Sequence, residues 1–318
     1  MLATARTVFL GSGEFAVPVV EALRGRPEVE LIAVVTAPAR PVGRRAQMGS
    51  APVGRWADAH KYPTLTPARL RDDQAVAELV GLRPDLLVLA DYGQIVPPRL
   101  LELPPRGSLN LHPSLLPRHR GATPVVQAIL DGDARTGVSL MVMDEGLDSG
   151  PIIAQRALLL AGDETAPDLE RRLADLAAEL LADSIGPWLR GELTARTQAA
   201  DGVSVTRPLR RADGRLEVAK SAAELERQVR AYQPWPGSFI GTGDDRLIVW
   251  RASVAGDQEH SEDPPGRLVE VDGEPALVTA SGRLVLHEVQ PAGGRRMAGA
   301  AWLRGRHGRL PAAEAGQR

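Results

Sequence analysis

Residues 107–124 read GSLNLHPSLLPRHRGATP, and the run Gly107–Leu111 within them decides how this chain folds. Asn110 and His112 stand two residues apart in an apolar stretch that stops at Pro113. Side chains alternate between the two sides of a strand, so the amide and the imidazole share one side. The stretch therefore predicts a buried strand whose end carries two polar side chains.

Further apolar or β-branched runs surround this strand and alternate with helical patterns. The predicted strands are Thr7–Gly11, Glu30–Thr36, Pro84–Ala90 and Thr136–Met143, and the predicted helices are Glu14–Arg24 and Thr165–Ile185. Continuous apolar runs separated by helices are typical of a parallel sheet that is covered on both faces. The sequence thus predicts an α/β fold with a Rossmann-like, doubly wound N-terminal domain.

The last third of the chain has a different pattern. A helix is predicted first, and short strands broken by Gly, Asp and Pro follow it: Ser221–Tyr232, then Leu247–Val254, Gly266–Val271, Ala276–Thr279 and Arg283–Val289. Closely spaced short strands favour a small OB-like β-barrel. We expect domains at 1–190 and 207–312, a polar linker at 191–206 and a disordered tail at 313–318.

Composition restricts the function classes. The chain has no cysteine, which excludes disulfides, a thiolate nucleophile and cysteine-based metal sites. A net charge of -2 argues against a surface that binds nucleic acid everywhere but allows a local basic patch. Without a signal sequence or a long apolar segment, we expect a cytoplasmic protein that does not enter membranes.

Two glycines mark the first strand-to-helix turn, FLGSGEF. Such turns hold phosphate groups in dinucleotide folds, but Ala16 stands where the third glycine of that motif belongs. Phosphate binding and a simple tight turn both remain open, and no NAD site is predicted.

A second loop, Thr36–Gln47, follows the second predicted strand and carries Arg40, Arg44 and Arg45. Loops at this edge of a parallel sheet border the ligand crevice, so these arginines are candidates for contact with an anionic partner. A solvated surface loop is the alternative.

Asn110, His112 and Asp148 are the candidate catalytic residues. Asp148 follows another predicted strand and lies between Gly146 and Gly150, which allow the backbone to turn sharply. An amide donor, an imidazole and a carboxylate suit acyl transfer through a tetrahedral intermediate: the amide and the ring donate to the oxyanion, and the carboxylate favours the imidazolium and relays a proton. Taken singly, a core histidine and a turn cap would be the commoner explanation.

Several stretches together resemble the methionyl-tRNA formyltransferases, in the order that this family has them. They are FLGSGEFAVPVVEAL, the RPVGR loop, PDLLVLADYGQIVP, SLNLHPSLLPRHRGATPVVQAILDGDARTGVSLMVMDEGLDSG, VRAYQPWPGSF and GGRRMAGAAWLRGR. The match spans nearly the whole chain, and its two C-terminal pieces distinguish this family from other folate-dependent formyltransferases.

The resemblance implies an N-terminal formyltransferase domain and an OB-like C-terminal domain that binds tRNA. It implies 10-formyltetrahydrofolate as the donor and initiator methionyl-tRNA as the acceptor, without a metal. Asn110, His112 and Asp148 take the catalytic positions, and Ser114, Leu115, Leu116 and Pro117 form the folate-binding segment. We expect a monomer.

The sequence departs from the family's usual pattern at a few positions. Gly13 stands where the family commonly has proline, Asp91 where it commonly has a small residue and His119 where it commonly has tryptophan. In the loop Thr36–Gln47, called the arginine loop below, Ala46 and Gln47 stand where lysines are common. The last two changes lower the positive charge that the loop offers to tRNA.

Two other functions compete with this one. A formyltransferase for a sugar nucleotide or a purine precursor would share the folate site, and a non-catalytic tRNA-binding protein would keep only the fold. The complete set of Asn110, His112 and Asp148 argues against the second.

Overall fold

A computed structural model describes residues 4–42, 47–241, 246–255 and 263–305. The chain divides into two compact units. The first unit consists of Met1–Pro124, Arg135–Leu159 and Leu169–Arg207, and the second of Val125–Ala134, Leu160–Asp168 and Pro208–Arg318. The predicted tail at 313–318 lies outside the described residues.

Strands and helices are numbered along the chain. The strands are β1 (Ala5–Gly11), β2 (Val29–Val35), β3 (Arg40–Val42), β4 (Gln47–Gly49), β5 (Thr64–Leu65), β6 (Leu86–Ala90), β7 (Ser108–His112), β8 (Arg120–Gly121), β9 (Arg135–Val142), β10 (Ile152–Leu159), β11 (Val205–Thr206), β12 (Ser238–Ile240), β13 (Leu247–Val254), β14 (Leu268–Val271), β15 (Glu274–Val278), β16 (Arg283–Pro291) and β17 (Met297–Ala298). The α-helices are α1 (Ala16–Arg24), α2 (Pro52–His60), α3 (Asp73–Gly81), α4 (Pro98–Leu101), α5 (Pro124–Asp131), α6 (Ala166–Leu189), α7 (Ala222–Ala231) and α8 (Gly299–Gly305).

A seven-stranded sheet organises the first unit, in the order β10-β9-β7-β6-β1-β2-β5. The five strands from β7 to β5 are parallel, which confirms the α/β prediction. At one end the sheet also contains antiparallel strands, because β9 runs antiparallel to β7 and β10 antiparallel to β9. Only residues 143–151 join β9 to β10, and this connection is too short for the crossover that parallel neighbours need.

Apolar side chains of the central strands explain why they are buried. Val8 and Leu10 on β1 pack with Val35 on β2 and Leu87 on β6, and all four are almost fully inaccessible to water. Leu79 on α3 joins the same cluster. This core holds β1, β2, β6 and α3 together.

Hydrogen-bonded polar side chains lie at the start of two of the helices. Thr165, directly before α6, donates from its hydroxyl to Asp168 in the first turn. Ser221 precedes α7 and accepts a hydrogen bond from the Glu224 backbone N–H, while Glu224 accepts one from the Ser221 N–H. Such a reciprocal capping box stabilises a helix start by about 1 kcal/mol.

An antiparallel sheet forms the second unit, in the order β12-β13-β16-β15-β14, with β17 also paired to β16. Within the described part of the chain β12 and β14 do not pair, so the sheet stays open and the predicted OB-like barrel is not closed. Leu225 and Val229 of α7 pack against Leu247, Leu284 and Leu286 of the sheet.

Among the described residues, none of the helices combines the length and the apolar character that crossing a bilayer requires.

Candidate active site

Asn110, His112 and Asp148 come together at the carboxyl end of β7. The Asn110 side-chain amide donates to Asp148 Oδ1 at 3.3 Å, and His112 Nδ1 lies 3.6 Å from Asp148 Oδ2. The backbone N–H of Gly121 donates to the same Oδ2 at 2.8 Å. Asp148 therefore links the two strand residues, although it lies far from them in the sequence.

Burial strengthens the electrostatics of this group. Asn110 and His112 are almost fully buried, and the side chain of Asp148 is 15% exposed. With little water nearby, a hydrogen bond or charge interaction at this site is stronger than it would be on the surface.

The surroundings of His112 determine what its ring can do. Nε2 lies 2.8 Å from the carbonyl oxygen of His119, and a carbonyl only accepts, so Nε2 carries a hydrogen. Nδ1 faces the Asp148 carboxylate at 3.6 Å, which is longer than a hydrogen bond. An imidazolium would present one N–H to the His119 carbonyl oxygen and the other to the Asp148 carboxylate.

The backbone at Asp148 has an unusual conformation that the segment 191–206 supports. Asp148 has φ +49, in the left-handed region that residues other than glycine seldom adopt. The Gln198 amide donates to the carbonyl oxygens of Asp148 and Gly150, each at 2.8 Å, and its Oε1 accepts two hydrogen bonds from Arg120. Strained residues of this kind persist where neighbouring groups hold them, often at functional sites.

Glycine is required at position 121. Its φ is +97, and a Cβ placed there would come within 2.4 Å of the Thr206 carbonyl oxygen, on the strand that pairs with β8. Only glycine lets the backbone N–H approach Asp148 this closely.

Sequence reasoning missed the roles of Gln198 and His119. Gln198 lies in the predicted linker and contacts residues about fifty positions away, so neither its own type nor its neighbours gave a signal. His119 is buried, and its backbone N–H donates to the Ser204 hydroxyl at 2.8 Å. It acts on His112 through its carbonyl group, which any residue type would provide.

The segment Ser114–Pro117 lies directly after β7. Ser114 is fully buried, and its hydroxyl donates to the Arg118 carbonyl oxygen at 2.6 Å. Leu116 is also buried, and its N–H donates to the Ser139 hydroxyl. Ser114 and Leu116 thus hold the segment in shape, whereas Leu115 and Pro117 have partly exposed side chains that a ligand could contact.

Of the three loop arginines, the structure describes one. Arg40 begins β3, which pairs with β4 as a hairpin that the sequence did not predict, and its side chain is exposed. Arg44 and Arg45 lie outside the described residues.

The first strand-to-helix turn holds a carboxylate. The Ser12 N–H donates to the Asp91 carbonyl oxygen at 2.9 Å, and a Cβ on Gly13 would lie 1.7 Å from Asp91 Oδ2. Burial first, and then the negative charges of Asp91 and Glu14, raise the pKa of the nearby Glu170 carboxyl. This negative charge would repel a phosphate, so the turn favours the tight-turn interpretation.

We therefore predict that Gly13 and Asp91 are energetically coupled. Gly13→Ala should lower the free energy of unfolding by about 1 to 3 kcal/mol, because the new methyl group overlaps the Asp91 carboxylate. In an Asp91→Ala background the same change should cost much less. Urea unfolding of the two single variants and the double variant measures the coupling, and additive effects would contradict it.

Comparisons with known proteins agree with this architecture. Residues 5–185 match the Formyl transferase family, and residues 208–307 match the family described as Formyl transferase, C-terminal domain. The chain is 44% identical to a methionyl-tRNA formyltransferase of Thermus thermophilus, over 98% of this chain and 99% of the relative. It is 42% identical to one of Roseiflexus sp. (strain RS-1), over 94% and 92% of the two chains.

Solved structures with low sequence identity share the fold. An N-formyltransferase from Helicobacter canadensis, crystallised with folinic acid and dTDP-3-aminofucose, aligns with a TM-score of 0.63 at 17% identity, over 89% of this chain and 98% of that one. HypX from Aquifex aeolicus in complex with tetrahydrofolic acid aligns with a TM-score of 0.60 at 15% identity, over 95% of this chain and 47% of that one. At these identities the likeness shows the fold alone.

Proposed function

The chain belongs to the methionyl-tRNA formyltransferase family and formylates the methionyl-tRNA that initiates translation, and we propose that Asn110, His112 and Asp148 catalyse this transfer. The donor is a folate-derived formyl carrier, for which we propose 10-formyltetrahydrofolate. The observation that supports the catalytic assignment is the position of Asp148, which joins Asn110 and His112 at the end of β7.

The reaction forms one C–N bond and breaks another. The neutral α-amine of the methionyl group attacks the formyl carbon, and the carbonyl oxygen becomes an oxyanion that Asn110 Nδ2 and His112 Nδ1 stabilise by donation. Asp148 takes up the proton that the amine loses and relays it to the folate nitrogen as that nitrogen leaves. The three side chains supply the donors and the proton acceptor that this step needs, so we propose that it proceeds without a metal.

We propose that Ser114, Leu115, Leu116 and Pro117 form one side of the folate site. The hydrogen bonds from Ser114 to Arg118 and from Leu116 to Ser139 hold the segment rigidly in place after His112. A rigid wall beside the catalytic residues restricts how the formyl group is oriented, which is a large part of what an enzyme gains by binding its substrate. We further propose that the chain acts as a cytoplasmic monomer.

An acceptor comparison tests the function. The purified chain is incubated with 10-formyltetrahydrofolate and either charged initiator tRNA or a UDP-amino sugar. Formylation of the methionyl group alone is the expected result. Formylation of the sugar in place of the methionyl group would favour the other acceptor class, and no folate turnover at all would favour a non-catalytic tRNA-binding protein.

The arginine loop gives a separate prediction about tRNA. Replacing Arg40, Arg44 and Arg45 by alanine should weaken tRNA binding and make it less sensitive to salt, because each phosphate contact contributes roughly 0.7 to 0.9 to the slope of log K against log[salt]. Folate affinity should not change. Dissociation constants measured at several salt concentrations test this, and Gln47→Lys should tighten binding slightly.

A matched variant controls for net charge. Arg24, Arg83 and Arg106 are exposed and stand just before parallel strands begin, at the edge of the sheet away from the active site. Their triple replacement by alanine removes the same charge and should leave the salt slope as it is in the unaltered chain. Equal slopes for both triple variants would show that the arginine loop is solvated surface.

A further inference from the structure

The side chain of Gln198 connects Arg120 to the backbone of Asp148. Its Oε1 accepts hydrogen bonds from Arg120 Nη2 at 2.7 Å and from Arg120 Nε at 3.1 Å. Its Nε2 donates to the carbonyl oxygens of Asp148 and Gly150, each at 2.8 Å. Gln198 is only 9% exposed, so both ends of a buried amide are bound by protein groups.

These partners fix which way the Gln198 amide faces. The guanidinium of Arg120 only donates and the carbonyl oxygens only accept, so Oε1 must face Arg120 and Nε2 must face the turn at Asp148. A positively charged donor at Oε1 polarises the amide, and this polarisation makes its N–H groups stronger donors. The grip on the Asp148 backbone therefore depends on Arg120 as well as on Gln198.

Arg120 and its neighbour Gly121 hold two different parts of Asp148. The Gly121 N–H donates to Asp148 Oδ2 at 2.8 Å, whereas Arg120 reaches the Asp148 carbonyl oxygen through Gln198. The strand β8, which these two residues form, is itself paired with β11, and the Arg120 N–H donates to the Ser204 carbonyl oxygen at 2.9 Å. One short strand thus holds both the carboxylate and the backbone of Asp148.

The conformation of Asp148 explains why this support matters. Its φ of +49 lies in the left-handed region, which costs free energy for a residue with a Cβ and persists only where neighbours enforce it. A change of φ or ψ at Asp148 would move the carboxylate away from Asn110 Nδ2, now 3.3 Å away, and from His112 Nδ1, now 3.6 Å away. A misplacement of about 1 Å can lower a rate on the order of 10²-fold.

We propose that Gln198, supported by Arg120, is a positioning residue for formyl transfer. It holds the backbone of Asp148 so that the carboxylate faces Asn110 and His112, and this role rests on the proposed catalytic function of Asp148. The segment 191–206, which has the composition of a linker, thereby contributes a side chain to the active site.

Gln198→Met tests the proposal, because methionine has a similar size and cannot donate to the carbonyl oxygens. In single-turnover measurements with saturating donor and charged tRNA, the formylation rate should fall on the order of tenfold to 10²-fold. The half-saturating concentrations of both substrates should stay within a few-fold, since an effect on Asp148 appears in the transition state. A full rate in the folded variant would overturn the proposal.

A second buried glutamine provides a matched control for stability. Gln228 on α7 also donates from Nε2 to two carbonyl oxygens, those of Arg215 at 3.0 Å and Asp213 at 3.4 Å. Gln228→Met should lower the unfolding temperature without slowing formylation at saturating tRNA. Equal slowing by Gln198→Met and Gln228→Met would show that the loss comes from a weakened fold.

Milder substitutions keep the test usable if Gln198→Met does not fold. Gln198→Glu keeps an acceptor for Arg120 but replaces the donor, so it should slow formylation as the methionine does. Arg120→Ala should lose on the order of tenfold, and Arg120→Lys, which retains a charged donor, should recover most of that loss. A full rate in Gln198→Glu would overturn the proposal, and a full rate in Arg120→Ala would overturn the role of Arg120.

An Asp148→Ala background separates positioning from a purely structural role. If Gln198 acts through the carboxylate, Gln198→Met should have little further effect once the carboxylate is gone. The rates of Asp148→Ala and of the double variant should then agree within a few-fold. Losses that multiply would show that Gln198 only stabilises the fold. A full rate in Asp148→Ala alone would instead overturn the catalytic assignment of Asp148, and the positioning role with it.

Discussion

Formyl transfer by a His112→Ala variant should be slower than that of the unaltered chain by a factor on the order of 10² to 10³. His112 Nδ1 lies 3.6 Å from Asp148 Oδ2, and in the proposed mechanism it donates to the oxygen of the reacting formyl group. One such donor typically contributes a factor of this size. Asp148→Ala should lose at least as much, since Asp148 contacts both Asn110 and His112. Single-turnover measurements with saturating donor and charged tRNA report this step.

A loss of folding must be distinguished from a loss of chemistry. Removing the buried ring leaves the His119 carbonyl oxygen without its partner. His112→Ala should therefore lose about 1 to 3 kcal/mol of its free energy of unfolding and unfold at a lower temperature. His60→Ala removes a surface histidine at the end of α2 and should keep the full rate. A folded His112→Ala protein whose rate is within a few-fold of the original would contradict the catalytic assignment.

Asn110→Asp should be at least as damaging as Asn110→Ala, again by a factor on the order of 10² to 10³. The substitution keeps the shape of the side chain but replaces the amide donor that faces Asp148 Oδ1 at 3.3 Å by a carboxylate. Two carboxylates at that separation repel each other. The oxyanion would lose a donor and meet a negative charge.

The two substitutions at Asn110 are compared under one set of conditions. Alanine removes the donor without adding charge, so the difference between the two rates isolates the effect of the charge. Near-normal rates in Asn110→Asp would mean that Asn110 is only a hydrogen-bonding residue at the end of the strand.

The sequence predicted the elements that local patterns determine. Continuous apolar runs identified β1, β2, β6 and β7, and the period of two placed Asn110 and His112 on one side of β7. The direction of β9 was not predictable in this way, because a buried strand has the same apolar run whether it pairs in parallel or antiparallel. The open edge of the second sheet is likewise set by pairing between distant strands.

Some residues of the candidate site could likewise be predicted from the local sequence, and others could not. Asp148 was identifiable because Gly146 and Gly150 flank it, which is a local signal. Gln198 was not, since its polar segment has the composition of a linker, and only the folded chain brings its amide to the carbonyl oxygen of Asp148.

The central claim, that His112 and Asp148 act as one catalytic unit, is tested most directly by single-turnover formylation rates of His112→Ala, Asp148→Ala and the double variant. Residues that act together lose their contribution together, as removal of either one disables the other. The double variant is therefore predicted to be no slower than the slower single variant, within a few-fold. A loss equal to the product of the two single losses would show that the residues act independently and would contradict the account.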